Sequence, residues 1–271
     1  DDLLSGGDGN DSISAGAGDD VLDGGNGGDF LWGEADEDTL HGGDGSDTLQ
    51  GGLGDDNLDG NGGNDELTGN AGDDTLVGSN GNDTLNGSKG DDRLEAGNGS
   101  DSLNGGTGDD QLDGGAEDDT LIGFDGDDSI LGGQGNDFID GGNGNDVLNG
   151  DDGNDTISGG LGNDSIAGED GDDKINAGQG ADIVSGGNGN DDLLGGGGRD
   201  LILGDGGNDY LNGNGGSDTL AGNEGDDVYS DSEAGGQVDD DFLPDDYPFD
   251  FEDRDNIFND DDGDNLINTV V

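Results

Sequence analysis

Residues 132–150 read GGQGNDFIDGGNGNDVLNG, nearly the same nine-residue phrase said twice. Each phrase carries two glycines, a third glycine two places later, an aspartate, and one aliphatic residue caught between polar neighbours, Ile139 and then Leu148. With Gly6 at position one, the frame GGDGNDSIS (6–14) recurs without insertion or deletion as far as VYS (228–230), making 25 units. Position six is Asp in all 25, and position eight is Leu, Ile or Val in 24, with Tyr229 in the last. Position four is Gly in 23, the exceptions being Asp36 and Glu117, and position one is Gly in 22, with Ala15, Ala96 and Ala177 in the others. The first five residues, DDLLS, fit the same frame from its fifth position, so the chain starts inside a unit. A fixed period of this kind indicates a solenoid.

Composition alone points the other way. The chain has 271 residues, 67 of them Gly and 71 Asp or Glu, against five Lys plus Arg, for a formal charge of −66. Low hydrophobicity with high net charge is the signature of disorder, because little apolar surface offsets the entropy of ordering the backbone. A random acidic polymer does not keep phase over so many units, so the periodicity overrides that reading. Absence of Cys removes disulfides and thiolate metal ligation. The basic residues Lys89, Arg93, Lys174, Arg199 and Arg254 are scattered singly, which argues against nucleic acid. An anionic membrane surface repels such a chain, and no apolar run approaches the roughly 18 residues of a membrane span, so membrane insertion is not expected. The chain begins at Asp1, which leads us to expect a processed protein or a piece of a longer one.

Each position in the unit has a physical reason. Repeated glycines permit φ > 0 and close approach of neighbouring turns, so the first six residues read as a tight turn. The last three, polar-aliphatic-polar, alternate as a short strand whose central residue points inward. One strand per nine residues cannot enclose a core, but two units can, giving 18 residues per coil. Position five supports this: Asp19, Asp55, Asp73, Asp91, Asp109 and Asp127 alternate with Ser46, Asn64, Asn82 and Ser100 in the interleaved units. Coils spaced about 4.8 Å apart predict a rod roughly 60 Å long from about twelve and a half coils. Its core is a thin ladder of single aliphatic side chains, each contributing about 1.5–3 kcal/mol, while ordering the backbone costs about 1–2 kcal/mol per residue. Something else must hold the turns.

The aspartates supply it. Stacking places Asp11, Asp29, Asp47, Asp65, Asp83, Asp101, Asp119, Asp137, Asp155, Asp173, Asp191, Asp209 and Asp227 in one column. Asp20, Asp38, Asp56, Asp74, Asp92, Asp110, Asp128, Asp146, Asp164, Asp182, Asp200 and Asp218 form the other. Like charges at coil spacing repel unless a cation lies between them. Carboxylates together with turn carbonyls offer the six to eight oxygens that Ca²⁺ takes, whereas Zn²⁺ prefers nitrogen or sulfur and Mg²⁺ keeps its waters. All 25 position-six aspartates are therefore candidate calcium ligands.

With these residues in view, the sequence resembles the repeats-in-toxin (RTX) proteins, whose GGxGxDxUx nonapeptide builds a calcium-binding parallel β-roll. The resemblance covers Asp1 to Ser230. It implies an all-β fold, a two-sided β-solenoid with two nonapeptides per coil and an ion between successive turns on each side, held by turn carbonyls and the position-six Asp. About 23 internal Ca²⁺ sites follow, which bring the charge of −66 to about −20, and folding and binding become one reaction. It also implies an extracellular or cell-surface location, reached by type I secretion of an unfolded chain with an uncleaved C-terminal signal.

Departures from the frame carry their own expectations. Asp36 and Glu117 either strain their turns or add a carboxylate, and local weakening is expected at both. After 1–230 we expect a second region, 231–271, where DDDFLPDDYPFDFED holds both prolines and the aromatics Phe242, Tyr247, Phe249 and Phe251. DNIFN (255–259) and DNLIN (264–268) suggest a degenerate final coil, and NLINTVV reads either as secretion signal or as capping strand. No comparable cap is seen at the other end, so the first coil continues upstream or stacks on another molecule. Lateral self-assembly is the other route, through outward apolar residues at positions seven and nine: Phe30, Trp32, Ile122, Phe138, Leu194, Leu201, Leu203 and Tyr210.

Three function classes compete. An enzyme is not expected: His41 is the only histidine and lies at an outward strand position, so no histidine-dependent constellation can form. Paired acids everywhere carry no specificity for glycoside hydrolysis. An ice-binding solenoid needs a regular array, and position three reads Asp8, Ala17, Asn26, Ala35, Asp44, Leu53. What is left is a secreted, calcium-rigidified structural protein of a matrix, surface layer, adhesin or filament, or else the folding and secretion module of a larger exoenzyme or toxin.

Overall fold

The computed structural model describes residues 1–231 and 237–238. The aromatic segment, the expected final coil at 255–268 and the C-terminal signal lie outside them. Among the described residues the chain is all β, a succession of strands from β1 (Leu3–Asp8) to β27 (Gln237–Val238). Strands start nine residues apart, and each pairs in parallel with the strand one full coil away, so that Leu4 stands beside Leu22 and Leu22 beside Leu40. Odd-numbered strands form a 14-stranded sheet and even-numbered strands a 13-stranded one. This is the two-sided parallel roll with 18 residues per coil that the period predicts.

Position eight fills the interior. From Leu22 to Leu220 each of these side chains is no more than 2% exposed, and they form one continuous cluster along the axis. Tyr229 packs against its end, and Leu4 and Ile13 against its beginning. The alternation of the strand explains the arrangement: only one residue in three of the apolar-centred triplet points inward.

The strands are longer than expected. A turn of six residues leaves positions seven to nine for the strand, whereas the structure extends it through positions one to three of the following unit, as in Val21–Asn26. Gly25 has φ +105°, which bends the chain at position two, yet pairing resumes beyond it, Gly25 with Gly43 and Asn26 with Asp44. Continued pairing with the coils before and after outweighs the bend. Only positions four to six are left as turn, and these too are bonded to their neighbours. The Gly9 N–H donates to the Asn26 carbonyl at 2.7 Å, and the Phe30 N–H to the Asp11 carbonyl at 3.0 Å.

Outward positions are not uniformly exposed. Phe30, Trp32, Phe138 and Tyr210 are 37–43% exposed, whereas Ile122, Leu194, Leu201 and Leu203 are half-buried. In β19 (Ser165–Asp170), Ser165 and Ala167 are buried although their positions face away from the core. Their side chains are short, and in the ladder Ser165 lies between the taller Val147 and Ile183, and Ala167 between Asn149 and Ser185. Among the described residues no helix is long and apolar enough to cross a membrane.

Candidate metal centre

Each turn delivers its position-six carboxylate in the same way. The N–H of one aspartate donates to Oδ1 of the aspartate 18 residues later, so every carboxylate leans back into the gap before its own turn. This bond repeats without interruption from Asp11–Asp29 to Asp209–Asp227, at 2.6–3.0 Å. From Asp20 to Asp218 these aspartates are only 1–5% exposed, and Asp11 and Asp227 are half-buried. The structure thus brings the predicted ligands into two edge columns, one along each side of the roll.

The second carboxylate oxygen is the informative one. Oδ2 of every position-six aspartate from Asp11 to Asp218 is buried and has no hydrogen-bond partner. A buried, unpartnered carboxylate oxygen is costly, and its cost recurs once per turn. Position-one glycine marks where these oxygens sit. A Cβ added at any of the 22 position-one glycines would lie within 2.6 Å of its own unit's Oδ2. Where the next coil's position-one carbonyl also flanks that point, it does so at 2.7 Å for Gly6 with Gly24 and 2.6 Å for Gly24 with Gly42. Glycine is favoured at position one by space, and at positions two and four by conformation. Gly7 and Gly9 have φ +101° and +120°. Their carbonyl oxygens face the next turn so closely that a Cβ on Gly25 or Gly27 would overlap them.

Electrostatics repeat the same statement. Burial pushes the carboxyls of Asp65, Asp74, Asp110, Asp119, Asp173 and Asp209 up to about 7. Those of Asp56, Asp92, Asp128, Asp146, Asp155 and Asp191 rise to about 6 for the same reason. The backbone N–H on Oδ1 opposes the rise, and stacked carboxylates reinforce it. Such groups are poised to accept either a proton or a metal ion. Among the described residues no three acidic side chains converge on one point, so a bound ion must draw most of its ligands from the main chain. An all-oxygen set of carboxylate and carbonyls fits Ca²⁺.

Position five forms a second ladder running the opposite way. The N–H of Asp73 donates back to Asp55 Oδ1 at 2.9 Å, and those of Asp91, Asp109 and Asp127 donate in turn to Asp73, Asp91 and Asp109. On the other edge Asn154 donates to Asn136 and Asp172 to Asn154. Sequence gave the alternation of Asp with Asn and Ser here but not this role, because a hydrogen bond between coils is invisible in a single unit. Asp36 and Glu117 combine both expected effects. They hold φ +78° and +77°, a strained region for a residue with a Cβ, and their carboxylates accept the N–H of Gly18 at 3.0 Å and of Gly99 at 2.9 Å. The lone His41 stands outward with Nδ1 3.9 Å from Asp59 Oδ2.

No curated protein matches the chain. A family model described as the RTX calcium-binding nonapeptide repeat matches successive segments from 1–31 to 194–229, which together span residues 1–229. That family is a repeat of calcium-binding type and specifies no catalytic residue. The buried, unpartnered Oδ2 that recurs in turn after turn, the all-oxygen surroundings and the continuous match lead to one assignment: the chain belongs to the RTX calcium-binding nonapeptide repeat family.

Proposed function

We propose that this is a secreted structural module whose roll becomes rigid when Ca²⁺ enters the gaps between turns, and that it serves outside the cell as part of a matrix, surface layer, adhesin or filament. The single observation that carries this reading is the column of buried Oδ2 atoms lacking any partner, from Asp11 to Asp218. A scaffold that needed no cation would have neutral or paired groups at those points. About 23 ions would occupy the gaps between complete units, held by position-six carboxylates and by carbonyls of positions two and four, and each would supply the charge that the stacked acids need. Calcium-poor surroundings leave the chain extended through self-repulsion, which suits export before folding.

Circular dichroism of the full chain across a calcium titration tests this directly. Disorder in chelator and a cooperative gain of β structure by millimolar Ca²⁺ are expected. A spectrum that does not change over that range would reject the calcium requirement. Light scattering on the loaded chain then separates a monomeric module from a filament subunit, since persistent monomers would remove the filament role.

A further inference from the structure

Position one is Gly in 22 units and Ala in three, at Ala15, Ala96 and Ala177. In the glycine units the space that a Cβ would take is already occupied by Oδ2 of the same unit's aspartate. A Cβ at that distance crowds the carboxylate position that the glycine units share, so Asp20, Asp101 and Asp182 keep the common bond through Oδ1 with a methyl group pressed against their Oδ2 side. Asp101 is 5% exposed, the most of the position-six aspartates from Asp20 to Asp218, while Asp20 and Asp182 stay at 2% and 1%. Ala96 and Ala177 are themselves wholly buried, so their methyl groups have nowhere else to go.

A second, independent change falls in two of the same turns. In most units the position-four N–H goes to a main-chain carbonyl of the next turn, as Gly27 N–H to the Asp44 carbonyl at 2.7 Å. In the Ala15 turn, the Gly18 N–H is taken by the Asp36 carboxylate. In the Ala96 turn, Gly99 N–H is shared between the Glu117 carboxylate and the Ala116 carbonyl, the latter at 3.3 Å, the longest of the main-chain bonds between turns. Alanine and acid thus bear on the same turn from opposite sides, the alanine crowding the carboxylate in the gap before it and the acid taking the position-four N–H in the gap after it. In the third case the position after the corresponding Gly198 is Arg199, the one cation next to a position-six aspartate on its N-terminal side.

Resting on the calcium reading above, we propose that the alanine turns at Ala15, Ala96 and Ala177 are built-in weak calcium sites. They divide each edge column into blocks of tight sites. One edge is interrupted at Asp20 and Asp182, which leaves an unbroken run from Asp38 to Asp164. The other is interrupted at Asp101, between the run Asp11–Asp83 and the run Asp119–Asp227. Disturbing the surroundings that orient a ligand lowers metal affinity about 10–100-fold, and the lower end of that range is expected for one methyl group. The roll therefore fills in stages, blocks first and junctions last, and releases ions from the junctions first.

Calcium bound per chain, measured by equilibrium dialysis against buffered free Ca²⁺, tests the proposal on the full chain. The wild type should release three ions, one per alanine, at about tenfold higher free Ca²⁺ than the remainder. Ala96→Gly should move one of the three into the tight class, and the triple Ala15→Gly, Ala96→Gly, Ala177→Gly variant should abolish the early phase. Gly105→Ala should add a further weak ion beside Asp110; where that variant does not fold, the triple variant decides alone. Hydrogen exchange at Gly99 gives a readout that needs no ion count, because Ala96→Gly should slow it selectively in calcium. Release curves of the triple variant that superimpose on the wild type overturn the proposal while leaving the calcium reading intact. No binding by the wild type overturns both.

Discussion

A position-six aspartate such as Asp110 is satisfied through one oxygen and stranded through the other, and that asymmetry makes its protonation state a matter of folding. Burial raises the carboxyl of Asp110 to about 7 from the 3.8 of an exposed aspartate, and Asp74 and Asp173 behave alike. Between those two values the folded chain holds more protons than the unfolded one. Metal-free stability from these groups is therefore fully present below pH 3.8 and is lost as pH rises through about 6 and 7. In chelator, acidification from neutral pH toward 4 should restore β structure without any metal; circular dichroism that stays featureless over that range would contradict it. Asp110→Asn separates the two roles of the side chain. It keeps the acceptor for the Asp92 N–H, bonded at 2.8 Å, while removing the charge, so the metal-free fold at neutral pH should strengthen and calcium binding should weaken. Asp146→Ala removes both and should fray the adjoining coils, raising the calcium midpoint of unfolding; an unaltered midpoint would count against Asp146 as ligand.

A strand here is six residues of which only one is apolar and buried, so most of its stability is hydrogen bonding to its two neighbours. The aliphatic position was legible from the repeat alone, because one Leu or Ile between polar residues admits a single inward direction. The strand's length was not legible. Position-one and position-two glycines look like turn residues in a sequence, and only pairing between coils reveals that they continue the ladder. Nor did the sequence distinguish the two reasons for glycine, crowding by Oδ2 at Gly105 and positive φ at Gly106. At Phe124, position two holds φ +80° with an exposed ring, a choice for which the fold offers no compensation that we can identify. Truncating the core should be felt locally and strongly. Leu121 is wholly buried between Leu103 and Ile139, and Leu121→Ala should cost about 2–5 kcal/mol in the calcium-loaded state, read as a lowered thermal midpoint.

Over the length of the rod, 24 carboxylates each with an enclosed Oδ2 would be untenable together without counter-charge, and with a chain charge of −66 the proposed calcium would be an architectural element. Small-angle scattering should show it. In chelator at neutral pH the radius of gyration should approach the roughly 58 Å of an unfolded chain of this length, and with saturating Ca²⁺ it should fall to half of that or less. Equal values in both conditions would deny the coupling of folding to metal. The edge columns were readable in the sequence because phase never slips, so residues 18 apart must align. Which gap each carboxylate enters was not, since Asp29 is as near in sequence terms to the coil before as to the coil after; only the bond from the Asp11 N–H decides it.

The two side-chain ladders run in opposite senses, position six accepting from the preceding coil and position five from the following one. Any plane cut across the roll therefore exposes two unlike surfaces, plug and socket. Two copies brought together end on would continue both ladders only nose against heel, because that orientation alone offers each row of acceptors the donors it meets inside the roll. The molecule is a vector, and whatever it builds by stacking must inherit that arrow.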